Sequence, residues 1–283
     1  MIGTLTVNGM VLSAMPMGEY DKRLTILTVE RGKINAFARG ARKPNSPLLA
    51  CSQPFSYGEF TVYAGRDSYT VTVAQVSNYF PGIKDDLERL YLGMYFCEFA
   101  DYFTREGNDE REVLKLLYQS LRALESKKFP IPLVRRIFEL KLISIEGEAP
   151  QVCACAICGK KDAGDGELKH FYIGKDGMVC DSCAHRLDQK KGGGDKGYLI
   201  RISPGCLYAM QYVVSTPGNQ LYRFSLKEEA MAEFGALVGQ YIKKHVGREM
   251  KSLMVLETMG LAKDGTKDGV PCGQDEEKKV KGK

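Results

Sequence analysis

Leu24-Thr25-Ile26-Leu27-Thr28-Val29-Glu30-Arg31-Gly32-Lys33-Ile34-Asn35-Ala36-Phe37-Ala38-Arg39 reads as two strands folded back on each other. Leu24–Glu30 and Lys33–Arg39 are rich in β-branched and apolar residues, and the Arg31-Gly32 pair between them supplies the glycine of a tight hairpin. The same composition recurs on either side, in Thr4–Ala14, Gly58–Ala64 and Ser68–Gln75, each bounded by Gly, Pro, Asn or Asp. In the last of these, Tyr69, Val71 and Val73 alternate with Thr70 and Thr72, as in a half-buried strand. Five short strands within residues 1–80 predict a small closed barrel, and the OB-fold is the commonest five-stranded solution.

From about Ile83 the apolar period changes from two to between three and four. Leu87, Leu90, Tyr91, Met94, Tyr95, Phe99 and Phe103 predict a helix to Thr104, broken by Gly107-Asn108. A second helix carries Val113, Leu116, Leu117, Leu121 and Leu124, and a third is expected from Leu133 to a Gly147 stop. Helical periodicity resumes near Pro204 and over Lys227–His245. The expected fold class is α+β multidomain: a five-stranded OB barrel at 1–80, an all-helical domain from 81–150 and 203–260, and an inserted four-cysteine zinc module at 151–202. Residues 261–283 are Lys, Asp, Gly and Glu with almost nothing apolar, and read as a disordered charged tail.

Composition excludes several classes. With 44% hydrophobic and 27% charged residues the chain has material for real cores. No apolar run approaches the roughly 18–20 residues that span a bilayer. The start, Met1-Ile2-Gly3-Thr4-Leu5-Thr6-Val7, alternates like a strand rather than a signal peptide, so a cytoplasmic protein with no membrane partner is expected. The net charge of +5 is mild: +3 over residues 1–80, −2 over 81–150 and +2 over 151–202. Such a balance permits a polyanionic partner without requiring one.

Five of the nine cysteines fall between Cys153 and Cys183. Clustering of this kind in a reducing compartment favours metal over disulfides. Cys155-Ala156-Ile157-Cys158-Gly159 and Cys180-Asp181-Ser182-Cys183 are two CxxC turns separated by twenty-one residues. Each turn aims two thiolates at one point, and together they complete the tetrahedron that Zn2+ prefers. Gly159 allows the positive φ such knuckles use. Cys155, Cys158, Cys180 and Cys183 are the expected ligands of one structural zinc; Cys153 is a rival for Cys155, and His170 or His185 could each replace a cysteine.

Arg39-Gly40-Ala41-Arg42-Lys43-Pro44-Asn45 follows the third strand, with Lys22, Arg23 and Lys33 on the neighbouring strands. In an OB barrel, strands two and three with their loops form the nucleic-acid groove, where such cations would meet phosphates. Charge alone reads equally well as a solvated loop. Phe37, Phe55, Tyr57, Phe60, Tyr63 and Tyr69 have rings that could stack on bases, but they are expected in the core and are not assigned to binding. Catalytic signatures are absent: there is no GxxxxGK[ST], no HExxH, no GxGxxG between strand and helix, and no HxE before either CxxC. A non-enzymatic role is expected.

Several segments, in the right order, resemble the RecO family of bacterial DNA-repair proteins. They are Gly18-Glu19-Tyr20-Asp21-Lys22-Arg23-Leu24, Ala38-Arg39-Gly40-Ala41-Arg42-Lys43, Gln53-Pro54-Phe55 with Gly58-Glu59-Phe60, Phe138-Glu139-Leu140-Lys141-Leu142, and Gly247-Arg248-Glu249-Met250-Lys251-Ser252. The resemblance spans roughly residues 1–255. It implies an OB-fold, a helical domain and a zinc module. It also implies recombination mediation: binding single- and double-stranded DNA, annealing complementary strands, and loading a recombinase with RecR in the RecF pathway. The single-stranded-DNA-binding protein is a second implied partner, and a nucleoid-associated location follows. By matching position, Lys22, Arg39, Arg42 and Lys43 would contact DNA. Cys153, the Gly- and Lys-rich loop at 190–197 and the long tail depart from the family pattern. Two other classes are a zinc-ribbon RNA-binding or translation-associated protein, and an adaptor that binds proteins and no nucleic acid.

Overall fold

In the computed structural model, which describes residues 3–66, 68–161, 168–189 and 199–260, the decisive hairpin pairs β2 (Asp21–Thr28) with β3 (Gly32–Ala38). Thr28 lies opposite Gly32, so the connection is Val29-Glu30-Arg31 and Gly32 opens the second strand. The Thr28 hydroxyl closes the turn, accepting from Arg31 N at 3.1 Å and donating to Gly32 O at 2.8 Å. Glycine is required there twice over: φ is +64°, and a Cβ would collide with the Arg105 carbonyl of the helical body.

β1 (Gly3–Met17), β4 (Tyr57–Ala64) and β5 (Tyr69–Asn78) complete a closed barrel in the order β1-β2-β3-β5-β4. Every pair is antiparallel except β3–β5, where Ala36 faces Tyr69 and Phe37 faces Thr70. This is the OB arrangement. β1 is longer than its apolar alternation indicates because it serves two neighbours: residues 3–10 pair with β4 and residues 9–17 with β2, with a bulge between Val11 and Ser13. Val7, Val11, Leu24, Ile26, Ile34, Ala36, Phe60, Val62 and Val71 fill the interior.

α1 (Pro81–Lys84), α2 (Leu87–Phe103), α3 (Arg111–Ser126) and α4 (Ile131–Ile145) follow. Asp86 caps α2, accepting from Arg89 N at 3.1 Å. α4 begins two residues before the expected Leu133, because Pro132 sits in its first turn, where a missing N–H costs nothing. In the cysteine region lie β6 (Leu168–Tyr172), β7 (Gly177–Cys180), α5 (Asp181–Gln189) and β8 (Leu199–Arg201), the strands forming a sheet in the order β7-β6-β8. α6 (Pro204–Ser215), α7 (Glu228–His245) and α8 (Lys251–Thr258) complete the described chain. α8 packs on α2, whose Glu98 carboxylate accepts from Lys251 N and Ser252 N at 3.0 and 2.9 Å. A carboxylate at a helix N-terminus satisfies free amides and complements the dipole.

One large core joins these parts. Met10, Leu12, Leu27 and Phe55 from the barrel region pack with the helices, as do Phe171, Met178 and Val179 from the small sheet. Lys33 N donates to Arg105 O at 3.0 Å and Lys33 Nζ pairs with Asp101 at 2.9 Å, fixing the barrel to α2. Among the described residues no helix is long and apolar enough to cross a membrane. The expected charged tail at 261–283 and the loop at 190–197 lie outside the described residues.

Candidate metal centre and nucleic-acid interface

The first knuckle is built by backbone hydrogen bonds around Cys155. Cys155 N donates to Lys160 O at 2.8 Å, Gly159 N to Cys155 O at 2.9 Å, and Ala156 N to Met178 O at 2.8 Å. Gly159 takes φ +74°, as the turn requires. The second knuckle arises where β7 runs directly into α5, so that Cys180 ends the strand and Cys183 lies in the first helical turn.

The four sulfurs of Cys155, Cys158, Cys180 and Cys183 all lie within 4.8 Å of one another, with Cys158 Sγ and Cys180 Sγ 3.8 Å apart. Four thiolates about 2.3 Å from a tetrahedral zinc are separated by about 3.8 Å, so this donor set fits that geometry. Cys153, His170 and His185 are not in the group. Cys153 and His185 are exposed, and His170 Nδ1 faces Asp181 at 3.4 Å. The local field separates the thiols. Burial pushes Cys155 up, but the N–H groups of Cys158, Cys180 and Ile157 outweigh it and bring the pKa down to about 6. Cys183 is pushed up to about 12, chiefly by burial, although Arg186 Nη2 donates to its sulfur at 2.8 Å. Four close thiols do not all ionise unaided; a dication at their centre is what would let them.

At the far end of the barrel, the segment after β3 is sewn to the β1–β2 turn. Gly40 N donates to Asp21 Oδ1 at 2.7 Å, Arg42 N to Tyr20 O at 2.8 Å, and Arg42 Nη1 to Gly18 O at 3.1 Å. Arg39, Arg42 and Lys43 are exposed, with Lys43 Nζ 5.4 Å from the centre of the Tyr20 ring. Lys22 sits differently. Its half-buried ammonium donates to Ser52 O at 2.8 Å and Ser52 Oγ at 3.2 Å, and burial followed by the nearby Arg42 lowers its pKa. The structure thus gathers all four expected cations, three outward and one beneath. Lys33 is absent from this surface because it is tied to Asp101.

The aromatic expectation needs correction. Phe55 and Phe60 are core, and Tyr57 and Tyr69 pack half-buried against it, but Phe37 is half-buried outside it and Tyr63 is 45% exposed. Phe37 alternates with Ala36 and Ala38, which fill the barrel interior, so its ring faces outward.

Sequence reasoning misses one charged network. Glu139 is fully buried on α4 and accepts from Arg135 Nε at 2.8 Å, Arg136 Nη1 at 2.7 Å and the Tyr95 hydroxyl at 2.7 Å. These residues floor a groove of about 890 Å³ between α2, α4, α7 and α8. Gly239 of α7 makes room for them, because a Cβ there would press on the Arg136 guanidinium. The signal that could have found it is an i, i+3, i+4 set of opposite charges on an otherwise apolar helix.

An OB barrel with a cationic rim, merged with a helical body that carries a four-thiol knuckle pair, defines the class: a multidomain OB-fold protein with a metal-site module. The comparisons with known proteins then fix the family. Residues 1–80 match the family described as Recombination protein O N terminal, and residues 84–254 match Recombination protein O C terminal. The DNA repair protein RecO of Acetivibrio thermocellus is 32% identical over 256 residues, covering 90% of this chain and 97% of that protein. The proteins of the same name from Symbiobacterium thermophilum and Bacillus subtilis are each 30% identical, over 258 and 251 residues, covering 91% and 89% of this chain and 98% and 93% of theirs. The chain belongs to the RecO family of DNA repair proteins.

Proposed function

We propose that this chain is a recombination mediator of the RecF pathway. It binds single- and double-stranded DNA, anneals complementary strands, and with RecR helps load a recombinase onto strands held by the single-stranded-DNA-binding protein. It acts in the cytoplasm at the nucleoid and catalyses no covalent reaction. One observation carries the reading: Arg39, Arg42 and Lys43 are held outward against the β1–β2 turn of an OB barrel, with Lys22 beneath them, in a chain of this family. These four residues are assigned as phosphate contacts. The proposed division places DNA binding in 1–80, a helical domain in 81–150 with 203–260 and the metal module in 151–202.

Cys155, Cys158, Cys180 and Cys183 would hold one Zn2+. A closed set of four thiolates leaves no position for water, so the ion supplies structure rather than Lewis-acid chemistry. The protein's own part in annealing is electrostatic. Cations that neutralise phosphates release condensed counterions and let two strands approach.

Binding of a single strand should therefore weaken as salt rises, with a logarithmic slope of about 0.7 for each phosphate neutralised. Arg39→Ala with Arg42→Ala is expected to weaken binding to every sequence and to flatten that slope by about 0.7 for each phosphate no longer neutralised. Annealing should fall in parallel and proceed without nucleotide. A double variant that binds and anneals like the parent at moderate salt would remove this surface as the DNA site. Competition among single-stranded DNA, duplex DNA and RNA decides the remaining classes: preference for structured RNA selects the translation-associated reading, and failure to bind any of them selects the adaptor.

A further inference from the structure

The outer face of β1–β3 carries a cross-strand row that phosphate contacts leave unused. Met15 lies opposite Arg23, and Arg23 opposite Phe37. Leu24, Ile26, Ile34, Ala36 and Ala38 point into the barrel, so Arg23 and Phe37 point out. The next row is polar, with Ser13 Oγ donating to Thr25 Oγ1 at 3.1 Å and Thr25 Oγ1 lying 3.4 Å from Asn35 Oδ1. The row beyond it, Leu27 with Lys33, is covered by the helical body. The face is therefore closed at one end and open at the end that holds the cations.

The open end is apolar as well as cationic. Met15 is 56% exposed, Met17 45% and Tyr20 45%. Residues 18–23 and 39–43 hold five cations, Lys22, Arg23, Arg39, Arg42 and Lys43, against Glu19 and Asp21. The Asp21 carboxylate is occupied by Gly40 N. A protein partner would have to supply a matching anionic rim and an apolar centre. A single nucleic-acid strand has both in every nucleotide, a phosphate and an aromatic face, whereas a duplex keeps its base faces stacked internally.

We propose that Phe37 and Tyr20 are base-stacking platforms for unpaired nucleotides, flanked by Arg23 and the 39–43 cations that take the phosphates, so that this face selects single strands over duplex. The inference rests on the reading of the barrel as the DNA site and adds to it a salt-independent, base-dependent contribution. Stacking of a base on an aromatic side chain is sequence-tolerant because every base has a π-face, which suits a protein that must accept any strand.

The test uses the full chain and three probes of equal length: an oligo-deoxythymidylate, an abasic strand and a duplex. Phe37→Ala and Phe37→Leu, the second keeping apolar volume on the strand, are each expected to weaken thymidylate binding roughly ten-fold at every salt concentration, leaving the salt slope unchanged. Neither should alter binding to the abasic strand or the duplex, and Phe37→Tyr, which keeps a ring, should bind thymidylate like the parent. Tyr20→Trp places the only tryptophan in the chain, and its fluorescence should be quenched by thymidylate and not by the abasic strand. Parent-like thymidylate affinity in both Phe37 variants overturns the proposal, as does an equal loss on the abasic strand. A parent chain that shows no salt-dependent binding to any probe overturns the DNA reading of the barrel itself, a distinct result.

Discussion

Replacing Cys180 and Cys183 together by serine is expected to abolish bound zinc and to lower the melting temperature by more than about 10 °C. Apparent zinc-binding free energies in thiolate-rich modules run to about 10–16 kcal/mol near neutral pH, and much of that is folding free energy. The strands of the small sheet are short. β8 has three residues and β7 four, and the knuckles tie β7 to the chain before it through Ala156 N–Met178 O and Met178 N–Gln151 O. The damage would not stay local. The Phe171 ring packs edge-on to Tyr241 of α7 at 5.9 Å, and Asp176 takes both Lys244 at 2.7 Å and His245 at 3.0 Å from the end of that helix. Phe171, Met178, Val179 and Cys180 belong to the same core as α6 and α7. Releasing the knuckles therefore exposes apolar surface that the helical body needs. Elemental analysis of protein purified without added metal should give one zinc per chain for the parent and for Cys153→Ser, and none for the double variant. A parent without metal, or a double variant that keeps it, would overturn the assignment.

The parts legible in the sequence are those with a short period or fixed spacing. β-rich composition between turn residues locates all five barrel strands, and the apolar stripe from Val113 to Leu124 falls within α3. Two CxxC turns identify a sulfur cluster in which Cys158 and Cys180 are twenty-two residues apart in the chain and 3.8 Å apart in space. Long-range pairing is less legible. Nothing local announces that β3 lies parallel to β5, since that contact is made only once the barrel closes. The small sheet escapes notice because β6–β8 are three to five residues long, too short for a period to register. Phe37 misleads for a different reason. Aromatic residues in a strand are usually core, and only the alternation set by Ala36 and Ala38 reveals that this one faces out. Lys22 reads as an exposed cation, yet it is half-buried with its ammonium bonded to Ser52.

Glu139→Ala is expected to destabilise the protein by about 3–5 kcal/mol, because it removes the buried carboxylate that two buried guanidinium groups share. Arg135 and Arg136 are 8% and 4% exposed, and Glu139, at 0%, supplies a carboxylate oxygen to each. Burial alone would raise the Glu139 pKa, but Arg136 and then Arg135 outweigh it and hold the carboxyl below its ordinary value. A depressed carboxylate contributes stability that is fully present above the unfolded-state value of about 4.3 and disappears as pH falls through the folded-state value. The parent should thus hold this contribution from neutral pH to about pH 5 and lose it in acid. Glu139→Gln, which keeps the shape without the charge, should lack that acid-sensitive component. Removing one partner and removing all are different experiments. Replacing Arg135, Arg136 and Glu139 together by apolar residues of similar volume should cost far less than Glu139→Ala, since none of the three buried charges remains. For a chain of this size, about 2–4 °C of melting temperature per kcal/mol makes the single variant's loss about 10 °C, easily read by calorimetry. A Glu139→Ala protein within about 1 kcal/mol of the parent would show that water or a rearranged side chain satisfies the arginines. The groove floored by this network would then be more open and more plastic than the packing of Tyr95, Arg136 and Gly239 indicates.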